Sequence, residues 1–136
     1  MTTQFVAVGD TKVRIPTGDY GERLYRPDDP PEDFKVRFAF DVPSDVRVDH
    51  ARRFVLGYML DPSDGADMRY EVRLNGVQVA SGHPVGGVAR GTWEIVGSDL
   101  LRDAPEHNNV DFWALPDLHS RGYLQFSDVV IWFNAR

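Results

Sequence analysis

The 136 residues carry 15 Lys and Arg against 21 Asp and Glu, a formal charge of -6, with 42% hydrophobic and 12% aromatic residues and no cysteine. That length fits one domain with one core. Disulfides, a thiolate nucleophile and Cys-ligated zinc are excluded, and the acidic balance argues against nucleic acid and membrane as partners.

Sixteen Asp but only five Glu, with two Lys, twelve Gly and nine Pro, make the chain turn-rich and poor in helix formers, which points to many short strands. The start, Met1-Thr2-Thr3-Gln4-Phe5, lacks the basic and apolar regions of a signal peptide. No stretch reaches the roughly 18 apolar residues of a membrane span. A soluble, unexported chain, cytoplasmic by default, is therefore expected.

Phe5 to Val8 and Lys12 to Ile15 read as two opening strands. Residues 18–33, rich in Pro and Asp, read as a loop or ordered arm of a single domain spanning 1–136, because too few residues precede them to form a core. Phe34, Val36, Phe38, Phe40 and Val42 then alternate with Lys35, Arg37, Ala39 and Asp41, the period of a half-buried strand. Arg53 to Leu60 is apolar on both faces and reads as a central strand.

Met68, Tyr70, Val72 and Leu74 alternate with Arg69, Glu71 and Arg73, and Asn75-Gly76 joins that run to Val77–Ala80. Asn-Gly between alternating runs marks a hairpin, because a type I′ turn needs positive φ at both central positions. After a Gly-rich loop from Ser81 to Gly91, Thr92 to Val96 forms a strand with Trp93 and Ile95 flanking Glu94. Ser98 to Asp103 is one helical turn, capped by Ser98 and stopped by Pro105. Asn109–Leu115, Gly122–Phe126 and Val129–Phe133 supply three more strands. The expectation is all-β: an antiparallel two-sheet β-sandwich, jelly-roll-like, of about nine or ten short strands.

The hairpin Tyr70-Glu71-Val72-Arg73-Leu74-Asn75-Gly76-Val77, the strand Thr92-Trp93-Glu94-Ile95, the Leu100-Leu101 turn, the Asn108-Asn109-Val110-Asp111-Phe112 opening and the closing Leu124 to Phe133 follow one another in order. Over residues 68 to 134 that order resembles the galactose-binding-like β-sandwich domains. The superfamily includes carbohydrate-binding modules, discoidin-like and cell-surface domains, and accessory domains of glycosidases. The resemblance therefore implies a fold with a range of binding roles and no catalytic set.

The chain has no G-x-S-x-G, His-x-His, His-Glu-x-x-His, P-loop or G-x-G-x-x-G string, and His50, His83, His107 and His119 all sit among loop-like residues. Glu71 and Glu94 would be the first carboxylates to consider for glycoside chemistry, and solvated strand positions explain both. No enzyme activity is expected.

Asp61-Pro62-Ser63-Asp64-Gly65-Ala66-Asp67 offers Asp61, Ser63, Asp64 and Asp67 as hard oxygen ligands for a structural Ca²⁺. An Asp/Gly turn between strands is the competing reading. Alternation sets Val110, Phe112 and Ala114 against Asp111 and Trp113, and Val129, Ile131 and Phe133 against Val130 and Trp132. Trp113 and Trp132 are then either outward, marking a ligand face or an interface, or core residues of a covered sheet. On the first reading the module is non-catalytic and binds carbohydrate by stacking on Trp113 or Trp132, with hydrogen bonds from Asp111, Arg121 or Asn108. The alternative is a structural or assembly protein that buries an apolar face in a homo-oligomer or against a protein partner.

Overall fold

The computed structural model describes residues 2–84 and 86–136. Met1 of the expected N-terminal segment and Val85 of the Gly-rich loop lie outside the described residues. Nine strands are found there: β1 (Thr2–Gly9), β2 (Val13–Ile15), β3 (Lys35–Phe40), β4 (Phe54–Pro62), β5 (Arg69–Leu74), β6 (Val77–Gly82), β7 (Arg90–Val96), β8 (Asn108–Leu115) and β9 (Leu124–Ala135). A five-stranded sheet has the order β1-β9-β4-β7, with β2 also on β9, and a four-stranded sheet has the order β3-β8-β5-β6.

Every pairing is antiparallel, and the long strands nest: β5 pairs with β6, β4 with β7, β3 with β8 and β1 with β9. The chain is thus one long hairpin rolled into a two-sheet sandwich, the jelly-roll arrangement. Its tip is the β5–β6 turn, where Asn75 at φ 50° and Gly76 at φ 85° give the two positive angles that the Asn-Gly pair supplies.

The core follows the alternation. Leu56, Leu60, Val72, Leu74, Val110, Phe112, Ala114, Val129 and Ile131 are fully buried between the sheets. Phe112 stacks on Phe126 at 4.3 Å between ring centroids, and Tyr58 packs edge-on against Phe112 at 5.1 Å.

Three expectations need correction. The two closing strands are one, β9, which continues through a bulge: the register slips opposite Gly57–Met59, and Asp128 takes φ 52°. Phe34 precedes β3 in a 3-10 turn, Glu32–Phe34, yet is still fully buried. The turn after β7 is a three-residue 3-10 segment whose N-cap position is Gly97; the side chain of Ser98, the expected cap, lies outside what the structure describes.

The antiparallel ladder sorts the connections. Segments 16–34, 63–68, 83–84, 86–89 and 116–123 gather at one end of the sandwich, and 41–53, 75–76 and 97–107 at the other. At the first end, Thr17 donates to the Asp33 carbonyl, Ser63 to the Tyr123 carbonyl and Gly86 to the Ala66 carbonyl through their backbone N–H groups.

Candidate functional site

The outer face of the four-stranded sheet is polar. Strand alternation places Lys35 and Arg37 from β3, Asp111 and Trp113 from β8, and Glu71 and Arg73 from β5 on it. The register sets Arg37 and Arg73 on either side of Asp111, and Lys35 and Glu71 on either side of Trp113. Arg37 grips Asp111 with a fork, Nε to Oδ1 at 2.7 Å and Nη2 to Oδ2 at 3.1 Å.

The Arg73 guanidinium lies 4.1 Å from the Trp113 ring centroid and the Lys35 ammonium 5.2 Å from it. Cations from both neighbouring strands therefore cover Trp113. From that position Arg73 Nη2 donates to Glu71 Oε2 at 3.2 Å and Nη1 to the Gly76 carbonyl at 3.3 Å.

A groove of about 490 Å³ opens on the β5–β6 half of this face, at the end where the arm lies. Arg69, Glu71, Gln78 and Ser81 form its polar floor. Its walls are Leu24, Tyr25 and Pro27 of the arm, Leu115 at the end of β8 and the residues to Leu118 that follow it. Leu24 is 91% exposed and Leu118 62% exposed, so two leucines stand at the rim with nothing over them. A smaller hollow of about 290 Å³ on the β3–β8 half is lined by Lys35, Arg37, Asp111 and Trp113.

The arm is a fixed wall. Tyr20 and Tyr25 pack edge-on against buried Phe34 at 6.3 and 5.2 Å. Arg23 lies over the same ring at 4.9 Å and pairs with Asp33 at 2.7 Å. Tyr25 Oη donates to the Pro116 carbonyl at 2.7 Å, tying arm to opposite wall, and burial pushes its phenol up to about 12. Across the groove, the His119 backbone N–H and the Ser120 hydroxyl hold the Asp117 carboxyl below the usual range.

The residues singled out from sequence are dispersed. Asp111 and Trp113 are on the face just described. Asn108 lies at the far end, fully buried; its Oδ1 accepts from Asn75 Nδ2 and the Arg102 backbone N–H, and its Nδ2 donates to the Arg102 carbonyl. Arg121 is exposed in a loop and bridges Asp67 through the backbone. Trp132 is outward and half-buried on the other sheet, packed at a tilt against Trp93 with ring centroids 4.6 Å apart.

The donor set expected for Ca²⁺ does not converge. Asp61 sits in β4 opposite Gln125, Ser63 Oγ accepts from the Tyr123 N–H at 2.9 Å, Asp64 is exposed, and the Asp67 carboxylate is bonded to His83. Among the described residues no three His, Asp or Glu side chains are placed to hold a metal ion. Glu71 and Glu94 lie on different sheets.

Sequence reasoning passed over Arg69, Gln78, Ser81 and Leu24 as site residues. The outward placement of Arg69 was readable from alternation, but the groove exists only because the arm folds back beside β5 and β6.

No family model matches the chain, and no curated protein does. Among solved structures it is similar to the CBM36-1 domain of a multidomain xylanase from the hindgut metagenome of Trinervitermes trinervoides, at 11% identity over 99% of both chains, TM-score 0.50. The K1 cleaved adhesin domain of Lys-gingipain from Porphyromonas gingivalis W83 matches at 14% identity over 98% of this chain and 99% of that one, TM-score 0.51. Dimeric latent PorU from Porphyromonas gingivalis matches at 11% identity over 96% of this chain and 13% of that one, TM-score 0.53. What these share with the chain is the fold.

Proposed function

We propose that the chain is a non-catalytic carbohydrate-binding module of the galactose-binding-like kind, and that the saccharide lies in the groove between the arm and the outer face of β5 and β6. The observation that carries this is the pairing of a polar floor with walls that are apolar apart from Arg23 and Asp117. Arg69, Glu71, Gln78 and Ser81 offer both donors and acceptors to hydroxyls, while Leu24, Tyr25 and Leu118 meet the C–H faces of a sugar. Arg73 occupies one oxygen of Glu71 and orients the other as an acceptor. The fold it shares with a module of a xylanase and with an adhesin domain agrees with a binding role.

In this reading the saccharide touches neither Trp113 nor the 61–67 loop: cations cover the first, and in the second Ser63 Oγ and the Asp67 carboxylate are bonded to Tyr123 and His83. The test is a glycan microarray of the intact protein, run in calcium and again in EDTA. Specific binding that is indifferent to EDTA and falls at least tenfold in Glu71→Ala and Gln78→Ala is expected. Silence on every glycan, or binding that both variants retain, refutes the assignment.

A further inference from the structure

The other outer face, on the five-stranded sheet, is opposite in character. Phe5, Trp132, Val55 and Ile95 form one row in register across β1, β9, β4 and β7, and Ala7, Val130, Gly57 and Trp93 form the next. None of these side chains is charged. Phe5 is 67% exposed, Trp93 63% and Ile95 71%. A contiguous patch of that kind on a sheet face marks an interaction surface.

The centre of the patch is closely packed. A Cβ at Gly57 would come within 2.7 Å of the Trp132 ring and 3.4 Å of Trp93. The glycine thus makes room for the two indoles, which lie 4.6 Å apart at an interplanar angle of 32°. Side chains already fixed by one another lose little rotamer freedom on docking.

Three properties select the occupant. An uncharged patch offers nothing to phosphate backbones, anionic lipid or charged peptides, and the chain's net charge of -6 opposes the first two. It does complement itself, as a two-fold interface requires. Its exposed side chains, with half-buried Trp132, Val55, Val130 and Met59, offer on the order of 600 Å² per copy, so that two copies together clear the roughly 1,000 Å² of a specific interface.

We propose that this face packs against the same face of a second copy, forming a back-to-back homodimer of two sandwiches. The saccharide groove opens on the opposite sheet, so the dimer carries two grooves facing away from each other across four sheet layers, roughly 30 Å apart at about 10 Å per layer. If the groove binds carbohydrate, the dimer is bivalent and cross-links chains. That consequence rests on the carbohydrate reading; the dimer does not.

The experiment is light scattering and sedimentation equilibrium of the intact chain over a dilution series, beside Trp93→Asp at one edge of the patch and Phe5→Asp at the other. Both substituted residues are exposed, and circular dichroism checks that each variant is folded. The wild type is expected at twice the chain mass, dissociating on dilution with a red shift of tryptophan emission. Each variant is expected as a monomer throughout, and Glu71→Ala as a dimer. A wild type that stays monomeric up to about 500 μM overturns the proposal. So does a dimer that survives both substitutions. Retention of the monomeric wild type on neutral vesicles or insoluble polysaccharide, abolished in Trp93→Asp, would overturn it in favour of that surface. Glycan binding by either monomeric variant shows the groove reading to stand or fall separately.

Discussion

Tyr58 of the five-stranded sheet and Tyr70 of the four-stranded sheet meet hydroxyl to hydroxyl at 2.9 Å, each 3% exposed, so one hydrogen bond joins the two layers across the core. Replacing either by Phe leaves the other hydroxyl buried and unpaired, a cost of about 1–3 kcal/mol. The double Phe variant has no orphan and is expected to lose less than the sum of the two. A denaturant-unfolding cycle over the four proteins measures this coupling; strict additivity would disprove it.

The tyrosines also set an alkaline limit. Burial is the first cause of raised phenol pKa values at Tyr20, Tyr25, Tyr58 and Tyr70, and Tyr25 reaches about 12. The folded state therefore holds these protons more tightly than the unfolded chain. Their contribution is complete below the ordinary value of 10.0 and is lost as pH rises from there through about 12. Unfolding free energies measured at intervals across that range should fall steadily, while the ultraviolet absorbance of tyrosinate develops late. A flat profile would contradict the burial of these rings.

Asn108→Ala separates a structural role from a ligand role. Its amide brackets Asn75 and both backbone groups of Arg102, so its removal is expected to cost about 3 kcal/mol. Glycan affinity per folded molecule should be unchanged. Lost affinity in a protein of unaltered stability would return Asn108 to the site.

Trp113 is expected to act through Arg73. Trp113→Leu removes the surface on which the guanidinium rests at 4.1 Å and loosens its hold on Glu71; glycan affinity should drop several-fold, and Arg73→Leu should reproduce the drop. A loss in Trp113→Leu that Arg73→Leu does not share would mean that the indole itself touches the sugar.

The strands were legible because their signals are local. Alternation along Arg69–Leu74 and the Asn75-Gly76 pair needed no knowledge of the rest of the chain, and the same alternation correctly set Val110, Phe112 and Ala114 against Trp113. The bulge in β9 was not legible: Ser127-Asp128 carries turn-like residues, and only pairing with β4 shows that the strand continues past them.

The site was less legible still, since it depends on register between strands far apart in sequence. Nothing near Trp113 announces that Lys35 and Arg73 will flank it, and nothing in the Pro-rich arm announces that Tyr25 will reach the Pro116 carbonyl. Trp132 was expected in isolation. Its partner Trp93 became visible only when β4 placed Gly57 between them.

The pairing of Thr2 with Ala135, first strand against last, bears on how quickly the chain can find its fold. Taken alone, that contact closes nearly the whole chain into one loop, at an entropic cost of roughly 4 kcal/mol. Because the strand pairs nest, each inner pair brings the next two strands close before they meet. The search then proceeds outward from Asn75-Gly76 in short closures, so that folding should be faster than a sandwich of such distant contacts suggests, and a substitution that weakens that tip should slow folding more than one near either end of the chain.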